Sequence, residues 1–156
     1  MRTRTAAVGA ALLITALTSC GTDTDTDAEV QKSTTDIRTS VQHLRDAITD
    51  ENTAVKEKSD DARTEVENVR LVAQVEAKNL GKYANRAPAK TQDFADAAET
   101  WANSIATART AILDKADTST STVAIAVSIR AERQMDQEAA ALHVTPWTPR
   151  PAADDE

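Results

Sequence analysis

The chain has 156 residues, a formal net charge of −7 and four aromatic residues, Tyr83, Phe94, Trp101 and Trp147, which sizes it for one domain and excludes a large aromatic core. Its three glycines, Gly9, Gly21 and Gly81, are too few and too scattered for a P-loop or a dinucleotide fingerprint, where the backbone must approach phosphate closely. A sequence pI near 4.9 argues against nucleic acid as a partner, because a phosphate footprint needs Lys and Arg clustered on one face.

Residues 1–20 read as a secretory signal. Arg2 and Arg4 form a short cationic start, residues 6–17 an apolar stretch, and Thr18 and Ser19 are small residues before Cys20. The apolar stretch is interrupted by Gly9 and Thr15 and is too short to span a bilayer, which takes about 20 apolar residues in a helix. The four residues Leu17-Thr18-Ser19-Cys20 follow the order aliphatic, small, Gly/Ala/Ser, cysteine, and this segment resembles the lipobox of bacterial lipoproteins. The resemblance covers the first 20 or so residues only.

That resemblance implies cleavage before Cys20, a diacylglyceryl thioether and an N-acyl chain on it, and attachment to the extracytoplasmic face of the cell membrane. No cofactor other than this covalent lipid is expected. Two acyl chains, at about 0.8 kcal/mol per buried CH₂, hold a protein stably where one binds only marginally. Small helical lipoproteins include envelope adaptors, assembly factors and phage-carried exclusion proteins, and the resemblance implies a function of that kind. Cys20 has no second cysteine to pair with, which excludes an intrachain disulfide. Loss of Arg2 and Arg4 removes two cations and takes the charge from −7 to −9, so an anionic membrane surface would offer the mature chain no attraction. Gly21, after the cysteine, leaves inner or outer membrane open.

Residues 20–27, with the TDTDTD repeat at 22–27, read as the lipidated cysteine and a disordered polar tether. Alternating Asp23, Asp25 and Asp27 echo the start of a calcium loop, but the glycine and the distal glutamate of that loop are missing.

From 28 to 80 no proline occurs and the composition favours helix. Ile37, Val41, Leu44 and Ile48 fall at steps of four, three and four, which sets them on one seam. The same phase reaches Val55 across a charged stretch, so the pattern predicts one long helix over about 28–80; the alternative breaks near 49–53 and yields four helices. Gly81 is the expected cap of that helix, with Lys78 and Lys82 suited to its negative end. Pro88 starts the next helix, about 89–115, with a stripe of Phe94, Ala98, Trp101, Ile105, Ala108 and Ile112.

Residues 117–122 supply N-cap candidates and read as a turn. Val123, Ile125, Val127 and Ile129 then alternate with small residues, a strand pattern. No second such run exists to pair with it, and a lone strand leaves its backbone unpaired, so 120–143 is expected as a third helix. Residues 144–156, with three prolines and an acidic end, read as a disordered tail. Within it Pro146-Trp147-Thr148-Pro149 has the PxxP form, which makes Trp147 a candidate partner-binding residue.

The expected fold is all-α: a long N-terminal helix with an antiparallel hairpin, as a three-helix bundle or coiled coil, or alternatively a four-helix bundle. No catalytic constellation is predicted. His43 and His143 are the only histidines, neither sits in a nucleophile or metal-helix pattern, and no metal site is expected. The function expected is a non-enzymatic, lipid-anchored envelope module that binds a protein partner or itself through its helices, with Ile37, Val41, Leu44 and Ile48 as the seam in want of a partner. The alternative is an envelope lipoprotein that binds a ligand or metal.

Overall fold

The computed structural model describes residues 26–144, which form four helices: α1 (Asp27–Lys56), α2 (Ala62–Ala84), α3 (Ala89–Leu113) and α4 (Thr118–Ala141). The all-α bundle expected from sequence is the fold observed, in its four-helix form. Leu17, Thr18, Ser19, Cys20 and Trp147 lie outside the described residues.

The start of α1 is set by a capping box. Thr26 Oγ1 accepts from the Glu29 backbone N–H, and the Glu29 carboxylate returns a bond to the Thr26 N–H, satisfying two donors that a helix start leaves orphaned. The polar segment therefore ends sooner than expected, since Asp27 is already helical. Pro88 and Asp117 precede α3 and α4; the Asp117 carboxylate accepts from the Thr120 N–H at 3.0 Å.

The single helix expected over 28–80 is two helices. α1 stops at Lys56, and the turn closes with Lys58 at φ 53°, the Lys58 N–H on the Val55 carbonyl and the Ser59 N–H on the Ala54 carbonyl. This is the Schellman pattern of a helix end. The break falls in 57–61, beyond the 49–53 of the four-helix alternative, because 56–61 is KEKSDD and has nothing to bury. Lys115 (φ 54°) and His143 (φ 56°) end α3 and α4 with the same bonds.

Gly81 is not a cap. It lies inside α2, which runs on to Ala84, and an added Cβ there would stand 2.9 Å from Glu99 Oε1 on α3, the free end of a flexible side chain.

The three connections are short and neighbouring helices run antiparallel. α3 is the centre: it packs against α1, α2 and α4, while no Cα of α4 comes within 8 Å of a Cα in α1 or α2. Six buried alanines on α3, Ala95, Ala97, Ala98, Ala102, Ala106 and Ala108, let neighbours approach on several sides. Phe94 and Trp101 are its fully buried anchors, packed with Ile37, Val41, Leu44, Val69, Leu80 and Met135 in one core. Helix α2 runs to Ala84, four residues past the expected end at 80; the other boundaries differ from the expected ones by at most two residues, within ordinary fraying.

Candidate interaction surface

Residues 118–129 of α4, TSTSTVAIAVSI, contain no charged side chain. They are helical because Asp117 caps the start and residues 130–141 continue as strong helix formers. The buried line of α4 is narrow: Ser128, Ala131, Met135 and Ala139, spaced by three and four. At 100° per residue, positions two apart fall on opposite sides of a helix. Val123 and Val127 therefore lie on one flank of the buried line, and Ile125 and Ile129 on the other.

Their exposures are 60% for Val123, 38% for Ile125, 51% for Val127 and 46% for Ile129. Burying one such side chain fully is worth about 1.5–3 kcal/mol, so this half-helix leaves much of its apolar surface in water. A helix apolar all round is ordinarily covered. Here one face meets α3 and the rest meets solvent.

The two flanks differ. Along the Val123 side runs an open groove of about 450 Å³, with Ser104 and Thr107 of α3 on one wall and Thr120, Val123, Ala124 and Val127 of α4 on the other. The other flank continues, at helical spacing, from Ile125 and Ile129 into Glu132 and Asp136. There Arg45 of α1 reaches across, with Nη2 3.2 Å from Glu132 Oε1 and 2.8 Å from Asp136 Oδ1. The Arg45 guanidinium also stands 5.7 Å from the centre of the Trp101 ring, a cation–π distance. One arginine thus ties the C-terminal half of α4 to α1.

Two further polar pairs link helices, the first buried and the second with a buried glutamate held by an exposed histidine. Arg109 Nε lies 2.8 Å from Glu51 Oε2, and His43 Nδ1 lies 2.7 Å from Glu76 Oε1. Burial pushes the Glu76 carboxyl up, but hydrogen bonds from His43, Ser40 and Asn79 outweigh it and hold the group below its ordinary value of 4.5. A second open hollow, about 510 Å³ between α2 and α3, is edged by Arg63, Glu67, Arg70 and Asp114; Arg70 is paired with Glu67. Among the described residues no group of three or more His, Cys, Asp and Glu side chains could hold a metal ion. None of their helices is long and apolar enough to cross a membrane.

The seam predicted to await a partner is already covered. Ile37, Val41 and Leu44 are fully buried and Ile48 packs against the same core, because α1 ends at Lys56 and α2 and α3 fold onto its apolar side. The exposed apolar surface is on α4 instead. Its signal in the sequence is the charge-free run at 118–129, whose alternation read as an ambiguity between strand and helix. No family model, curated protein or solved structure matches the chain.

Proposed function

We propose that the chain is a non-enzymatic, lipid-anchored module of the cell envelope, of the adaptor or phage-exclusion kind, that binds protein through the N-terminal half of α4. The observation that carries the reading is the uncharged stretch 118–129, with four exposed β-branched residues and only α3 beside it. The anchor is Cys20, on the strength of the Leu17-Thr18-Ser19-Cys20 motif.

Six residues lie between Cys20 and Asp27, where α1 begins. Helix α1 has 30 residues and at 1.5 Å per residue is about 45 Å long. Antiparallel connection puts residues 118–129 near the end of α1, away from its start. The start of α1, from which the chain leads back to Cys20, and the docking face are then at opposite ends of the bundle.

The test has two arms. Mass spectrometry of the chain recovered from cells should show Cys20 as the first residue carrying a diacylglyceryl group, and Cys20→Ala should leave the membrane fraction. An unmodified Cys20 overturns the anchor. Crosslinking in cells from position 127 should trap protein, and its absence overturns the docking face.

A further inference from the structure

We propose that α4 is a hinged lid on the bundle: it swings off α3 as one unit about the connection 114–117, with Arg45 as its latch, while α1, α2 and α3 stay packed. This deepens the docking role proposed above for α4 and is independent of lipidation at Cys20.

Helix α4 runs close to α3 but is held by little side-chain surface. Its buried residues are Ser128, Ala131, Met135 and Ala139, and Met135 is the one large side chain among them. Small residues let two backbones approach while taking little apolar area out of water. Helix α1, by contrast, buries Ile37, Val41 and Leu44 and packs against both α2 and α3, whereas only α3 packs against the backbone of α4. Among the described residues α4 is also the last element, so it can leave without unthreading another helix. A unit with few buried apolar contacts opens at a lower free energy than the whole fold.

The joint that holds it is reversible. Arg45 reaches from α1 to Glu132 and Asp136, and both acids stand partly in water, where an ion pair contributes little and is readily remade. The N-terminal half of α4, residues 118–129, has no charged side chain with which to add an ion pair. Beneath the Arg45 guanidinium lies the Trp101 ring, fully buried, with no hydrogen-bond partner for its Nε1–H among the described residues. An unpaired buried donor is costly, and hydration of this joint when α4 and Arg45 part removes that cost. Lys115, in the hinge, holds φ 54°, a left-handed conformation disfavoured for a residue with a side chain, and an extended connection releases it.

Opening adds the line of Ala131, Met135 and Ala139 to the exposed Val123, Ile125, Val127 and Ile129. A partner that grips the helix on all sides selects the open form and shifts the population toward it.

Hydrogen exchange of the full chain in detergent solution tests the lid. Amides of 118–141 should exchange together, about tenfold or more faster than those of 89–113. Glu132→Gln with Asp136→Asn removes the latch but leaves Arg45 over the ring; it should speed exchange of 118–141 by about tenfold and leave 62–84 unchanged. With Trp147→Phe making Trp101 the sole tryptophan, the same double variant should raise acrylamide quenching of Trp101. Exchange of α4 in step with α3 in both proteins, faster exchange confined to the last turn of α4, equal acceleration of all four helices in the double variant, or unchanged quenching overturns the proposal. An α4 that never opens alone but still crosslinks protein from position 127 in cells would remove the lid and leave the proposed function standing.

Discussion

Arg109 on α3 donates from Nε to Glu51 Oε2 on α1 at 2.8 Å, with side-chain exposures of only 11% and 7%. The pair ties the last turns of α1 to the central helix, next to the end of the bundle where α4 begins. Two charges taken from water are held by each other, so loss of one strands the second. Arg109→Met alone should lower unfolding free energy by about 3 kcal/mol, whereas Glu51→Leu with Arg109→Met should recover most of it. Urea melts of the three proteins check this, and a double variant as unstable as the single one would contradict it.

The pH dependence of stability should carry a contribution from Glu76. Its carboxyl is held below 4.5 in the folded chain by His43, Ser40 and Asn79 despite the opposing effect of burial. A carboxylate that binds its proton less readily folded than unfolded stabilises the fold fully above the unfolded value and loses that stabilisation as pH falls through the folded one. The loss should appear below about pH 4.5 and be absent from Glu76→Gln, which thermal melts from pH 6 to pH 3 would reveal. Equal pH slopes in the two proteins would count against it.

Gly81 offers the opposite sign. It occupies the interior of α2 with no positive φ, and the three nearest neighbours of an added Cβ are the carboxylate atoms of Glu99, the free end of a flexible side chain. If Glu99 swings aside, Gly81→Ala should stabilise by about 0.5–1 kcal/mol from helix propensity alone. Lys58→Gly should also stabilise, because Lys58 holds φ 53° at a helix end where glycine meets no steric cost. A drop in melting temperature in either variant would refute the corresponding argument.

The seam on α1 should behave as core. Leu44→Ala is expected to cost about 2–5 kcal/mol in the monomer, and Val41→Asp to unfold the bundle. Neither should yield a folded chain that merely fails to associate. A folded Val41→Asp protein with normal melting would reinstate this seam as a surface.

These four positions show where the sequence was legible. Ile37, Val41, Leu44 and Ile48 do share a face, Phe94, Ala98, Trp101, Ile105 and Ala108 are buried along α3 as their spacing required while Ile112, the last of that stripe, is exposed near the helix end, and α4 is a helix. Periodicity identifies a face; it does not say which element covers it. The heptad phase from Ile48 to Val55 runs without a slip, yet Val55 is exposed and the helix ends one residue later, because phase is a local property and the fold-back at 57–61 follows from long-range burial. Gly81 misled for a similar reason: a glycine near a proline looks like a cap, while here it lies within α2, against Glu99 from another helix. The exposed face of α4 was hidden because β-branched alternation looks like a strand. Its two flanks become visible only when the residues are set on a helix whose backbone packs against α3 alone.

The most direct measurement of the account is photocrosslinking in cells from the anchored full chain, with the reactive side chain at Val127 or, as the comparison, at Val75, an equally exposed valine on α2. A discrete protein adduct is expected from 127, lost on adding Val123→Glu, and none from 75. Equal adducts from both positions, or none from 127, would contradict it.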